Sequence, residues 1–267
     1  MKRSIWAVLS AFFALGLWQV IIVITSVPHF ILPSPLRVAT TLFDSRSLIA
    51  EHAVITFVEV LVGIVLGSLL GACTALWLVV SPATRRLIMP LLIFTQAVPV
   101  FALAPVLTLW FGYGIWSKII ITVLIIYFPV ASTFLDGLQH TNQGYLDLAR
   151  SMNARADKIL LKIRFPAALP SFGSGLKLAA VYSPIGAVIG EWVGASGGLG
   201  YLMLLANGRA KTDLMFASLL VLALFTIALY SLVALLEAYL TQRTHRTSSP
   251  SQHSYAVPRS HRDGHQG

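Results

Sequence analysis

What most constrains this chain is a series of long, nearly uncharged apolar runs. Six occur: Ile5 to about Ile24, Val54–Val80, about Leu87–Trp110, Ile115–Leu135, Phe172–Trp192 and Leu214–Leu240. Each is near the ~20 residues a helix needs to cross a hydrocarbon core. In lipid a segment must satisfy its own backbone polar groups, and a helix does so within one segment. The runs therefore predict an all-α, polytopic membrane protein of about six transmembrane helices. Of the 267 residues, 57% are hydrophobic and 11% charged. Soluble domains average roughly 45–50% and roughly 25%, so a single buried core does not account for the excess.

The first run follows Lys2 and Arg3, as a secretory signal would. It is longer than the roughly 7–15-residue apolar core of such a signal and lacks a clear small-residue cleavage site. It is expected to remain as the first helix. Pro99 and Pro105 interrupt the third run and Pro184 the fifth. Prolines are tolerated in spanning helices where neighbours or cavity water satisfy the freed carbonyls, so kinked helices around a central path are expected.

Orientation follows from Lys and Arg in alternate connecting segments. With the N-terminus inside, the inner segments hold Lys2, Arg3, Arg85, Arg86, Arg150, Arg155, Lys158, Lys162, Arg164, Lys177, Arg243, Arg246, Arg259 and Arg262. The outer segments hold Arg37, Arg46, Lys118, Arg209 and Lys211, so the division is fourteen to five of the 19 basic residues. Positive charge favours the cytoplasmic side, which predicts both termini in the cytoplasm. The same distribution explains the net charge of +9 without nucleic acid.

Residues 1–242 are thus expected to form one transmembrane domain with a cytoplasmic loop at 137–170, and 243–267 a disordered tail. The tail carries His245, His253, His261 and His265, but irregular spacing without carboxylate partners favours a solvated segment over a metal site. The lone cysteine, Cys73, excludes an intrachain disulfide and a thiolate cluster.

Motifs for catalysis are missing. No G-x-x-x-x-G-K-[ST] loop occurs, and Gly173-Ser174-Gly175-Leu176-Lys177 has the wrong spacing for one. The glycines Gly194, Gly197, Gly198 and Gly200 follow a membrane helix and not a strand, and read as a turn re-entering or skirting the outer face. Neither H-E-x-x-H nor G-x-S-x-G is present. No catalytic residue, metal site or cofactor is expected.

Gly63, Gly67 and Gly71 recur at every fourth position of the second run, the spacing that lets two helices approach closely in lipid. Two carboxylates fall near the outer ends of spans, Glu59 in the second and Glu191 in the fifth, beside Trp192. A charge within a span is costly and usually faces a cavity. Either the two share a polar vestibule, with Glu59, Glu191 and Trp192 on a translocation path, or both reach headgroup water. Lys177 and Glu237 lie near the inner interface, where long side chains snorkel.

The most informative stretch runs from Tyr145 to Pro166. Leu148, Ala149, Met152, Ala156, Ile159, Leu160 and Ile163 recur at steps of three and four, with Arg150, Arg155, Asp157, Lys158 and Lys162 largely elsewhere. Asn153 interrupts the pattern, and asparagine tolerates the left-handed conformation that ends a helix. Such a helix–turn–helix suits either a lipid surface or a partner's groove.

This loop resembles the cytoplasmic signature of permease subunits of binding-protein-dependent ABC importers: Glu-Ala-Ala, a glycine six residues after the Glu, then Ile-x-Leu-Pro. Asp147 stands at the Glu, Leu148 and Ala149 at the alanines, Asn153 at the glycine, and Ile163, Phe165 and Pro166 at the close. The Asp, Asn and Phe are departures that keep the acid, the turn and the apolar bulk. Ala97–Pro105, Trp110–Gly114 with Lys118, Gly190–Gly194, Gly198–Met203, Asn207–Arg209 and Thr212–Phe216 are similar to the subgroup importing nitrate, sulfonates, taurine and thiamine pyrimidine precursors. The later motifs, with Glu59, are most similar to its hydroxymethylpyrimidine branch.

The resemblance implies a type I ABC importer permease fold. It implies two ATP-binding subunits on the cytoplasmic face, an extracytoplasmic substrate-binding protein, a homodimer of permeases and a bacterial inner-membrane location. ATP would be bound by the partner, so the chain is no enzyme. Asp147, Ala149, Asn153, Ala154, Ile163 and Pro166 would form the coupling element, and Gly63, Gly67 and Gly71 would pack somewhere in the dimer. A sulfonate, taurine or nitrate importer is the alternative cargo. A secondary transporter or channel is the alternative of another class, but it would need its own coupling-ion site near mid-membrane.

Overall fold

The computed structural model describes residues 2–246, and the tail histidines His253, His261 and His265 lie outside them. Among the described residues the chain is all-α. Its elements are α1 (Lys2–Thr25), α2 (Pro35–Asp44), α3 (Arg46–Val80), α4 (Pro82–Ala97), α5 (Val100–Phe111), α6 (Ile115–Gln139), α7 (Gln143–Ser151), α8 (Ala156–Ile159), α9 (Phe165–Gly194), α10 (Leu199–Gly208) and α11 (Thr212–Arg246). A π-helical turn over Leu160–Arg164 joins α8 to α9. α11 continues through Arg246, into the stretch where the sequence suggests a tail.

Four stretches are long and apolar enough to cross a membrane: α3, α6, Ala156–Gly194 and Thr212–Tyr239. α4 and α5 qualify only together, bent by 97°. α1 runs over 24 residues and carries the apolar stretch Phe12–Thr25. This corrects the expected third span, which is two helices. The cause is local: Pro99 disfavours helical backbone in the residue before it, and Val98 accordingly stands at φ −82°, ψ 120°. The pair nevertheless runs from one end of the bundle to the other. Ile88, Met89 and Leu92 of α4 pack with Leu138, Leu160 and Phe165 at the α7 end. Ala104 and Leu107 of α5 pack with Ile121, Ile189 and Val193 towards the α10 end.

At the centre lies α6, with Ile121, Ile126, Val130, Phe134 and Leu138 all at most 1% exposed. Gly63, Gly67 and Gly71 of α3 face it, and side chains there would meet Thr122, Ile126 and the backbone of Tyr127 and Ala131. The glycine seam therefore packs two helices of one chain, α3 against α6. Most outward-facing residues of α1, α3, α4 and α5 are large and apolar, among them Phe12, Phe13, Leu69, Trp77, Phe94, Leu109 and Trp110. Patches of that extent suit a lipid environment.

Short capped helices shape the two ends. Ser34 caps α2, its hydroxyl accepting from the Arg37 N–H at 3.3 Å, with Pro35 in the first turn. Asn142 caps α7 by accepting from the Gly144 N–H at 2.9 Å. The α2 helix is not apparent in the sequence because its apolar pattern is only three turns long.

Candidate functional site

Two constellations stand out, one at each end. At the α10 end, α3 carries His52, Thr56 and Glu59 on the stripe that continues into Gly63, Gly67 and Gly71, the i, i+4, i+7 spacing of one helix face. α6 contributes Lys118 and α9 contributes Glu191 and Trp192. Glu59 is 0% and Glu191 1% exposed. Burial brings the two carboxylates together, so neither reaches headgroup water and neither faces an open vestibule in this conformation.

The Glu191 carboxylate is fully engaged. Its Oε1 accepts from the Thr56 hydroxyl at 2.6 Å and its Oε2 from the Gly200 N–H at 2.5 Å. Thr56 Oγ1 in turn accepts from the Leu199 N–H at 2.7 Å, and His52 Nδ1 accepts from the Gly198 N–H at 3.1 Å. The first N–H groups of α10 are thus satisfied by side chains of other helices. A local cap is impossible because Gly198 occupies the cap position at φ +107°. Glycine is required there twice over: the backbone is one that other residues adopt only with strain, and a Cβ would overlap the Glu191 carboxyl.

Glu59 lies beside Glu191 and 3.7 Å from Lys118 Nζ. Its two carboxylate oxygens make no hydrogen bond to a donor group. Lys118, expected in an outer connecting segment, is instead 6% exposed and inside the bundle. Trp192 differs from the carboxylates. It is 46% exposed, its indole N–H donates to the Gly200 carbonyl at 3.0 Å, and its ring edges an apolar groove with Val181, Ile185 and Val188.

At the other end, α7 buries Leu146 and Ala149 and turns Tyr145, Leu148 and Met152 outward, at 52%, 59% and 75% exposure. The exposed Asp147 pairs with Arg150 at 2.9 Å. Asn153 stands at φ +56°, and its N–H and that of Ala154 return to the carbonyls of Arg150 and Ala149, closing the helix. Ile163 lies in the π-helical turn and Pro166 in the first turn of α9, both half-buried. There is no break between this segment and the span: Ala156–Gly194 is one helical stretch of 39 residues. Lys177 and Glu237, expected to snorkel near the inner interface, pair at 2.5 Å across α9 and α11, with the Ser174 hydroxyl donating to Glu237 at 2.8 Å. Among the described residues, no three His, Cys, Asp or Glu side chains are grouped to hold a metal ion.

A family described as "Binding-protein-dependent transport system inner membrane component" matches residues 63–246. The chain belongs to this family. It is a multi-pass membrane protein and the permease subunit of an ABC importer. A probable ABC transporter permease protein of Haemophilus influenzae is 50% identical over 216 residues, 81% of this chain and 88% of that one. The formylaminopyrimidine transport permease protein ThiX of Halalkalibacterium halodurans is 36% identical over 241 residues, 89% of this chain and 96% of that one. In fold, the chain is similar to the MetNI methionine ABC transporter solved in an inward-facing form. The TM-score is 0.59 at 17% identity, covering 72% of this chain and 94% of that one.

Proposed function

We propose that this permease imports a thiamine-precursor pyrimidine of the hydroxymethyl or formylamino type, as one of two identical permease subunits served by two ATP-binding subunits and an extracytoplasmic binding protein. The observation that carries the coupling role is α7, a short helix that leaves Leu148 and Met152 exposed beside Asp147 and is followed, after the turn at Asn153, by residues 156–164 running unbroken into a spanning helix. A partner that draws this segment aside would tilt α9 with it, because residues 156–194 form one helical stretch beyond the turn at Asn153. Each ligand of the cycle shifts the inward- and outward-open states only by its differential affinity for them.

The basic residues Arg85, Arg86, Arg150, Arg155, Lys158, Lys162 and Arg164 cluster at the α7 end, which supports a cytoplasmic α7 and cytoplasmic termini in a bacterial plasma membrane. Cargo identity rests on the 36% identity to a formylaminopyrimidine permease over nearly the whole chain. The half-exposed Trp192, at the edge of an apolar groove of about 510 Å³, offers a flat aromatic face to a planar ring. Glu59 and Glu191 are withdrawn from any path in this conformation.

Uptake of labelled hydroxymethylpyrimidine by cells with and without the gene tests this reading, with taurine and nitrate as controls. Selective loss of pyrimidine uptake, reproduced by Asp147→Arg with the protein still in the membrane, is the expected result. Loss of taurine or nitrate uptake alone would keep the importer and replace the cargo.

A further inference from the structure

We propose that the turn joining α9 to α10, residues 195–199, is a moving gate of the import cycle, and that His52, Thr56 and Glu191 are the positioning residues that hold it down in the conformation seen here. The inference rests on the importer reading above and adds the element that moves at the α10 end.

Three features carry it. First, the start of α10 is bonded to its neighbours and not to itself. The leading N–H groups of a helix have no intrahelical partner, and a side chain at the cap position usually supplies one. Here Gly198, Leu199 and Gly200 donate to His52 and Thr56 of α3 and to Glu191 of α9. Those three hydrogen bonds can open without disturbing a single helical one, so the turn can lift from its seat while buried Leu202, Met203 and Ala206 keep α10 packed.

Second, α10 is flanked by glycines and by a left-handed residue, where the backbone can change direction. Gly194, Gly197 and Gly198 precede it, and Ala210 follows at φ +55°. Around Gly208, at its end, there is open space.

Third, the seat under the turn is incompletely satisfied. Glu59 is buried beside Glu191 yet accepts no hydrogen bond, and Lys118 stands 3.7 Å away. A buried carboxylate held only by a long ion pair to Lys118 is costly, and lifting the turn would let water reach it. Glu191 also lies three residues from the end of the 39-residue helical stretch that begins at Ala156, the start of α8. A displacement of that segment is therefore delivered by a continuous helix to the carboxylate on which the turn sits.

A disulfide tests this directly. A Cβ at Gly197 would lie 2.7 Å from Ile55 Cδ1, so the two positions face each other, and titration of the thiols after oxidation shows whether cysteines there have bridged. The Ile55→Cys/Gly197→Cys chain, with Cys73→Ser, is assembled with its ATP-binding subunits in lipid nanodiscs. ATP hydrolysis is measured with and without the binding protein. Expected is at least a tenfold loss of binding-protein stimulation on oxidation, recovered with dithiothreitol, and no change in either single-cysteine chain. Stimulation that survives complete consumption of the thiols overturns the gate and leaves the importer standing. A reduced parent complex with no stimulation at all sinks the importer reading, and the gate with it.

Thr56→Val and Thr56→Ser provide an independent measurement. Valine keeps the shape and removes the hydroxyl, so hydrolysis without binding protein should rise several-fold. Serine should restore the low basal rate. Parallel loss of basal and stimulated hydrolysis in Thr56→Val would mark the hydroxyl as merely structural and overturn its positioning role.

Discussion

Lys118 is the residue whose environment departs furthest from its sequence context. It lies three residues into α6, where a basic side chain ordinarily turns to headgroups or water, yet it is buried against Glu59. The reason is space on the neighbouring helix: Gly190 of α9 leaves no side chain, and the Lys118 stem fills that position, with its Cβ and Cγ within about 3.1 Å of where a Cβ would stand. A buried charge pair is weak evidence of net stability, but removing one partner leaves an uncompensated charge, a loss of roughly 3–5 kcal/mol. Lys118→Met should therefore lower the thermal unfolding midpoint of the solubilised protein more than Lys118→Met/Glu59→Leu does. Strictly additive losses in the two single variants and the double would show that the pair is not coupled. In the sequence, Glu59 and Glu191 are recognisable as intramembrane acids, but the lysine partner is not. Nothing in residue spacing links position 118 to position 59. Thr56 and His52 were within reach of the sequence, since both lie one and two turns from Glu59 on the stripe that Gly63 continues.

On the scale of elements, glycine and other small residues determine how closely α6 is held. One face of α6 meets Gly63, Gly67 and Gly71 of α3. The other meets Gly175, Gly186 and Gly190 of α9, on a buried stripe with Ala179 and Ser183. The α3 stripe is legible in the sequence as an every-fourth-residue repeat. The α9 stripe steps by 4, 4, 3 and 4 residues, a face of one helix that no simple repeat reveals. Contacts at Gly71 are chiefly backbone, the Tyr127 carbonyl at 3.0 Å and the Ala131 N–H at 3.1 Å from a would-be Cβ. Those atoms cannot rotate away as a side-chain tip can. Gly71→Leu should overpack the seam, at a cost of about 1–3 kcal/mol or more, and lower the unfolding midpoint by several degrees. Gly16→Leu is the control, because nothing lies within 4 Å of its Cβ position. Equal stability of the two variants would remove the seam as the determinant of α3–α6 approach. The split of α4 from α5 was half legible: Pro99 marks the position, but a kink and a 97° break differ only in what packs on each arm, and sequence order does not specify that.

For the whole molecule, four long apolar helices and one bent pair stand, among the described residues, where six spans were expected. The all-α membrane architecture, the basic segments gathered at the α7 end and the helix–turn–helix before α9 could be read in advance. Each depends on local composition or period. The polar seat of α10 could not, since it joins residues 143 and 146 positions apart in sequence. What remains undetermined by sequence pattern is whether the exposed side of α7 meets protein or lipid. Both surfaces attract an apolar patch ringed by arginine and lysine, and the two predict different consequences of adding acid. Leu148 and Met152 lie four residues apart and both point outward, so Leu148→Glu/Met152→Glu converts one face without touching buried Leu146 or Ala149. If that face is the groove contact for an ATP-binding subunit, the variant should lose co-purification of that subunit by at least tenfold while remaining in the membrane fraction, anchored by α3, α6, α9 and α11. Transport should fail in proportion to the lost subunit. If α7 instead rests on headgroups, the ATP-binding subunit will co-purify undiminished, and flexible exposure of α7 will rise, visible as faster tryptic cleavage at Arg150 and Arg155. The first outcome ties the α7 face to energy coupling, and the second would transfer that role to the neighbouring surface formed by α8 and the π-helical turn.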